Sequence, residues 1–348
     1  MVLEEQDGSK TAYYFSAPVY NNRTRKLVDM KFYEKEGTVY SIGSNARCTF
    51  TDHVKMENDE GICRVSLDKS VVFVREQELL CKNHYLHPTL NGFAYQISCQ
   101  GGSPYTFDLE VARPFMEVRA NDKCFCLMSE RFRPFVSVSC IGTMDQSGQA
   151  IAPAKIIYQK LTDRKYRLTI IPCSPKGSWM WMEINLYEGK LVQDTTVESA
   201  NPVTNNAFGS TAFIGYTKEF GEQWLYTRLD SSKMSELMNR RIRKVIMHLP
   251  IYNQTALELE ALRLPRRFCS FGSAWENKIE AAETISNSVL GSRYQDIDIT
   301  ALLADARMGY STRNEGLLLK PCKKNAGFSA IATGDSYYAP QIYEINYS

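Results

Sequence analysis

Alternation with a period of two runs through this chain and restricts its fold more than any other feature. Over Trp179 to Tyr187, Met180, Met182, Ile184 and Leu186 interleave with Trp179, Trp181, Glu183, Asn185 and Tyr187. Successive side chains of an extended strand point to opposite faces, so the aliphatic set forms one core-facing stripe. Short apolar-rich runs at Tyr13 to Tyr20, Leu27 to Tyr33 and Thr38 to Ile42, and the β-branched run Val71 to Val74, also read as strands. Asn21-Asn22 and Lys35-Glu36-Gly37 punctuate them as turns. Ile156 to Leu161 and Tyr166 to Ile171 flank Thr162-Asp163-Arg164-Lys165 and read as a hairpin. No segment before Leu191 sustains a helical period. The first half is therefore expected to be antiparallel β, in a sandwich or stacked sheets.

The second half alternates in the same way. Strands are expected at Thr211–Gly215, Trp224–Leu229, Lys244–Leu249, Ala256–Leu264, Gln295–Ile299, Gly316–Leu319, Phe328–Ala332 and Gln341–Asn346. Three short helical insertions are expected among them. Met234, Leu237, Met238 and Ile242 share one face, with Ser231 or Ser232 as a cap. Asn277 to Leu290 stops at Gly291, and Ala301 to Met308 starts behind Thr300. This many short strands fits a jelly-roll β-sandwich. The whole is an all-β chain of two domains, residues 1–190 and 191–348.

Composition narrows the partners. Lys plus Arg number 41 against 39 Asp plus Glu, for a net charge of +2. That balance argues against a basic nucleic-acid groove, and the clusters Arg240-Arg241-Arg243-Lys244 and Arg263-Arg266-Arg267 read as solvated or protein-facing faces. No apolar run reaches the roughly 18 residues of a membrane span. Met1-Val2-Leu3-Glu4-Glu5-Gln6-Asp7 shows no secretory signal. The ten cysteines are concentrated in apolar strand-like stretches such as Val136 to Ile141. They read as free thiols packed as small hydrophobes rather than as a disulfide framework.

From Gln193 onward a series of segments carries a further signal. Asp194-Thr195-Thr196-Val197 leads to Asn201-Pro202 and Asn205-Asn206-Ala207-Phe208-Gly209. Leu225-Tyr226-Thr227-Arg228-Leu229-Asp230, Val245 to Leu249, Trp275-Glu276-Asn277, Asp296 to Thr300, Glu315 to Lys320 and Ala339 to Ile345 follow in order. Together they resemble the DNRLRE domain family. The resemblance implies a jelly-roll sandwich from bacterial or archaeal surface and wall-associated proteins, some of them classed as carbohydrate-binding modules. The family's "NYG" tyrosine is Phe208 here. Residues 1–190 resemble no family.

Candidate sites follow from residue chemistry. Sugar C–H faces stack on flat rings while polar neighbours hold hydroxyls, which selects Trp224, Tyr226 and Arg228 on one strand face and Tyr337-Tyr338 in a loop. The competing reading buries Trp224 and Tyr226 in the sandwich core. Cys81, His84 and His87, with Cys99 as a fourth ligand, have the atoms a tetrahedral zinc would need. Asp194, Asp296 and Asp298 are candidates for a structural calcium ion. Beyond these no cofactor is expected. No G-x-S-x-G, H-E-x-x-H, Walker or G-x-G-x-x-G motif occurs, and there are four histidines, so no catalytic residue is selected.

The reading that follows is a non-catalytic bacterial surface or structural protein with a carbohydrate-binding-module-like domain, acting in adhesion or assembly. Its partners would be copies of itself and a polysaccharide, with neither nucleic acid nor a membrane span. The alternatives are a self-assembling subunit of an appendage, phage-like particle or spore layer, and a polysaccharide-active enzyme. Its place would be the cell surface or an extracellular assembly, reached without a visible signal peptide, or the cytoplasm before release.

Overall fold

The computed structural model describes residues 1–115, 117–129, 133–189, 191–230, 237, 240–280, 283–304, 315–323 and 327–348. The chain is all-β, and every strand pairing among the described residues is antiparallel. It divides into two compact units, one joining Met1–Ala17 to Lys190–Ser348 and the other formed by Pro18–Gly189. The second unit is thus an insertion into the first. A division into 1–190 and 191–348 misplaces the first 17 residues, because they supply strands to the sheet that the C-terminal segment completes.

The split unit has two sheets among the described residues. The six-stranded sheet runs β1 (Val2–Glu4), β2 (Lys10–Phe15), β30 (Ile342–Tyr347), β23 (Ile242–Pro250), β27 (Tyr294–Asp298), β26 (Val289–Leu290). The seven-stranded sheet runs β25 (Glu283–Asn287), β24 (Leu259–Arg263), β28 (Leu317–Pro321), β22 (Gly221–Leu229), β21 (Thr211–Thr217), β29 (Phe328–Ala332), with β20 (Val192–Glu198) also on β22. Inward residues of both sheets meet in one core. Ala12, Val245, Met247, Ile297, Tyr343 and Ile345 come from one sheet, and Ala212, Ile214, Leu225, Leu259, Leu319 and Ile331 from the other. Period two explains the selection: Leu225 and Leu229 face that core while Trp224 and Tyr226 face away.

The inserted unit also has two sheets. The eight-stranded sheet runs β17 (Ala154–Lys160), β18 (Lys165–Pro172), β12 (Tyr105–Val111), β7 (Gly61–Ser66), β6 (His53–Asn58), β5 (Arg47–Phe50), β4 (Thr38–Ile42), β3 (Tyr33–Lys35). The nine-stranded sheet runs β13 (Glu117–Ala120), β14 (Cys124–Met128), β15 (Pro134–Met144), β19 (Trp179–Leu186), β11 (Gly92–Ser98), β10 (His84–Pro88), β9 (Glu78–Cys81), β8 (Val72–Arg75), with β16 (Ala150–Ala152) on β15. Met180, Met182, Ile184 and Leu186 of β19 lie in the shared core, as their alternation requires. Turn chemistry sets the hairpins: at β6–β7 the Asn58 side-chain carbonyl accepts the Glu60 and Gly61 N–H groups. Strands β11 and β19 approach so closely at Gly92 that a Cβ would sit 2.1 Å from the Ile184 carbonyl oxygen.

All eight strands expected in the second half are present, and the hairpin at 156–171 is β17–β18. The helices fare differently. Asn277 to Leu290 contains β25 and β26, not a helix. Thr284, Ile285 and Val289 are β-branched, and β24 offers an open edge that Glu283–Asn287 pairs with. The helix behind Thr300 is α1 (Thr300–Ala304), and the rest of that expected segment lies outside the described residues. Its start is held by Asp298, whose carboxylate accepts the Thr300 N–H at 2.9 Å. Most of the expected helix at 231–242 also lies outside the described residues, and Ile242 opens β23.

Two outcomes follow. Residues 190–348 alone lack β2, so that fragment is expected to aggregate or lose its cooperative transition. A chain with residues 18–189 replaced by a short Gly-Ser linker should keep one, because the Leu191 N–H already donates to the Ser16 carbonyl at 3.3 Å. Calorimetry of these two shortened proteins decides between them. None of the ten cysteines is joined in a disulfide; Cys269 is exposed, Cys173 and Cys322 are half-buried, and the other seven are buried. Burial pushes the Cys48 thiol up to about 12. A thiol reagent should therefore label Cys269 first, and the buried seven only after denaturation, as followed by mass spectrometry.

Candidate functional site

The outer face of the seven-stranded sheet carries the chemistry. Trp224 and Tyr226 of β22, Leu318 of β28, Leu262 of β24 and Val197 of β20 form a second apolar cluster there. The segment after β24 covers it with Leu264, Phe268 and Ile279, and Trp275 packs on its margin. Tyr226 ties this cover down. Its hydroxyl donates to the Ile279 carbonyl at 3.0 Å and accepts the Ile279 N–H at 2.9 Å. Its ring stacks on Phe268, with centroids 5.6 Å apart. Tyr226 is therefore a structural anchor, on the face opposite the sandwich core but out of reach of a ligand.

Beside the covered cluster a cavity of about 330 Å³ opens, lined by Gly215, Tyr216, Glu222, Trp224, Glu260, Lys320, Pro321, Cys322 and Lys323. Trp224 is 8% exposed, so it supplies a wall rather than an open platform. Its indole N–H donates to Glu222 Oε1 at 3.0 Å, and its ring centroid lies 4.9 Å from that of Trp275. The Lys278 ammonium sits 5.0 Å from the Trp275 ring centroid. The Glu222 backbone N–H donates to Ser199 Oγ at 2.8 Å, which fixes the strand end carrying this carboxylate. Across the cavity Glu260 accepts the Thr284 hydroxyl and lies 3.7 Å from the Lys320 ammonium. Tyr216 is 50% exposed and is the lining ring most open to solvent. Gly215 has φ of +122°, and a Cβ there would meet the Gly327 carbonyl oxygen at 2.4 Å, so glycine is required where β21 bends beside the cavity.

The remaining sequence-selected residues separate. Arg228 shares the face of Trp224 but donates to Gln193 Oε1, away from the cavity lining. Tyr337 is buried and Tyr338 half-buried, and neither is among the lining residues. Conversely, Tyr216, Glu222, Glu260 and Lys320 were not selected from the sequence. Glu222 alone had a readable signal, lying two residues before Trp224 on the same face of β22.

The metal candidates are corrected. Among the described residues no group of three or more His, Cys, Asp or Glu side chains is placed to hold an ion. His84 and His87 are three apart on β10, an odd spacing that sends them to opposite faces. Cys81 Sγ points at the Lys69 carbonyl at 3.0 Å, and His84 Nδ1 accepts the Ser98 N–H at 3.1 Å. His87 stacks on Trp181 with centroids 4.8 Å apart, and its Nε2 lies 3.0 Å from Gln96 Oε1. Cys99 is buried. Cys81 and His84 thus stand opposite each other on β9 and β10, but His87 lies on the other face, so the four do not converge on one ion. For calcium, Asp194 on β20 accepts the Gly334 N–H, while Asp296 and Asp298 lie on the other sheet. Asp296 is 2.8 Å from His248 Nδ1, and Asp298 holds Thr300, so their carboxylates serve local contacts.

In the inserted unit a cleft of about 400 Å³ is lined by Asp59, Glu60, Arg113, Pro114, Phe115, Ser129 and Arg133. Its charge is mixed, and Asp59 pairs with Arg23 at 2.9 Å. Among the described residues no helix is long and apolar enough to cross a membrane. The chain matches no protein family and no curated protein.

The anchor gives a pH prediction. Burial pushes the Tyr226 phenol up from 10.0 to about 12. A raised folded-state value means that its stabilising effect is intact below pH 10 and is lost as pH rises towards 12. The loss runs at about 1.4 kcal/mol per pH unit over that window. Y226F should be less stable than the wild type at neutral pH, and the difference should narrow between pH 10 and 12. Urea unfolding at each pH measures it.

Proposed function

We propose that the protein is a non-catalytic glycan-binding protein of a cell surface or extracellular assembly, with the site on the outer face of the seven-stranded sheet. The observation that carries this reading is the cavity beside Trp224. It combines an exposed ring, Tyr216, with an aromatic wall and with carboxylate and ammonium groups within one rigid sheet. A sugar presents just this duality: C–H faces that lie on a ring and hydroxyls that need charged or polar partners. In this arrangement Tyr216 takes the sugar face, Glu222 and Glu260 accept from hydroxyls, and Lys320 donates. The site is built on strands, and Glu222 and Glu260 are already held by Trp224 and Thr284, so little side-chain freedom is lost on binding.

Part of the DNRLRE-like series supports the same reading, since some of its segments border the site. Leu225 to Leu229 lie on β22, Glu315 to Lys320 run into β28, and Trp275 packs against Trp224. A jelly-roll connectivity for the split unit belongs to this proposal. The near-neutral net charge suits an uncharged polysaccharide better than nucleic acid.

The test is a polysaccharide and oligosaccharide panel followed by titration calorimetry and tryptophan fluorescence on the best binder. Y216A and E260Q change exposed or half-exposed side chains and should leave the melting transition in place. Each is expected to weaken binding by at least about tenfold, or 1.4 kcal/mol. R228A, outside the cavity, should bind as the wild type does. Glycan binding unchanged in both Y216A and E260Q would remove the site from this surface.

A further inference from the structure

The six-stranded sheet ends in two edges that fit one another. One edge is β1 and the other is β26. Both are apolar and open to solvent. Val2 and Leu3 are 49% and 48% exposed, and Val289 and Leu290 are 70% and 46% exposed. An unpaired strand edge of this kind is a template for another strand, and neither edge carries the lysine or proline that commonly blunts one.

Three separate features of the sheet set a single match between them. The first is direction. All neighbours are antiparallel and the strand number is even, so β1 and β26 run in opposite directions. A second copy placed beside the first in the same orientation continues the alternation. The second is hydrogen bonding. Met1 and Tyr13 exchange both backbone bonds, at 2.8 and 3.1 Å, so the Val2 N–H and C=O point out of the sheet. The Gly291 N–H donates to the Tyr294 carbonyl at 2.8 Å, so Leu290, one residue back, also points its backbone groups outward. The third is side-chain face. Val2 stands opposite the core residue Ala12, and Leu290 opposite the buried Gln295, so both lie on the core side. Leu3, opposite Thr11, and Val289, opposite Asp296, lie on the outer side.

We infer that copies of this chain associate edge to edge through β1 of one copy and β26 of the next, antiparallel, with Val2 opposite Leu290 and Leu3 opposite Val289. In that register outward backbone groups meet outward backbone groups, and each apolar side chain meets an apolar side chain on its own face. The contact joins two different surfaces, so it does not close on itself. It leaves one free β1 and one free β26 at the ends and grows by addition. The edges are short and the interface correspondingly small, so association is weak and concentration-dependent. The inference is independent of glycan binding, whose site lies on the other sheet.

Sedimentation velocity and negative-stain microscopy of the full chain test it, up to roughly 1 mM, the weak end of specific affinity. The wild type should form a ladder of oligomers or filaments as concentration rises. V2P and L290P each remove an outward N–H that makes no bond within the molecule's own sheet, so both should melt as the wild type does. Each alone should remain monomeric. Mixed, they should form a one-to-one dimer and nothing larger, because V2P keeps β26 and L290P keeps β1. If a proline variant does not fold, L3K and V289K pose the same question through exposed side chains. A wild type that stays monomeric throughout overturns the inference. So does a single variant that dimerises by itself, which would mean like edges pairing, and so does a mixture that grows beyond the dimer.

Discussion

Six residues near the start of the chain, Lys10–Phe15, pair in register with six at its far end, Ile342–Tyr347, and the split unit depends on that ladder. Strand β30 is bonded on one side to β2 and on the other to β23, so without β2 it would become an apolar edge. Ala12 would leave the core with it. The pairing also sets the layout of everything between. Ser16 receives the Leu191 N–H at its carbonyl and donates through its backbone N–H to the Gln341 carbonyl, so the chain leaves for the inserted unit and returns at nearly the same point. Closing so long a loop is entropically expensive, and the cost grows only slowly with loop length once the insert has folded.

The candidate site depends on the outer face of a sheet whose inner face is already committed. Every large apolar side chain of β22 is assigned by parity, Leu225 and Leu229 inward and Trp224 and Tyr226 outward. Outward aromatic residues must then be covered or used, and this face does both. Tyr226 is sealed by Phe268 and by two hydrogen bonds to Ile279. Trp224, one step along, lies where the cover ends, with Trp275 on one side and the cavity on the other. The boundary between cover and cavity is thus a matter of two residues along one strand.

The sequence carried the strand set well because period-two alternation is a local property. All eight expected strands of the second half are found, and β19 buries the four residues its pattern marks. Local signals failed where a neighbour made the decision. Glu283–Asn287 has no strong pattern of its own and is a strand because the edge of β24 accepts it. The cluster at residues 81–99 has the right atoms for zinc, yet parity on β10 turns His84 and His87 away from each other. Strand parity was available in the sequence, and applying it to this segment would have removed His87 from the cluster at once.

What the sequence determined by itself, then, is what side-chain alternation and composition can encode: an all-β chain, the eight strands expected in its second half, the sharing of one face by Trp224 and Tyr226, and thiols packed as apolar groups. Tertiary structure alone decided what depends on strands meeting across long separations. It joined residues 1–17 to the C-terminal sheet, because only the 10–15 to 342–347 ladder could tell which unit they complete. It brought Tyr216, Glu222, Glu260 and Lys320 to one cavity, from four strands whose order in the sheet is not their order in the chain. Alternation states which face a residue occupies. Which other residues share that face is set by strand pairing, and pairing is a property of the folded sheet.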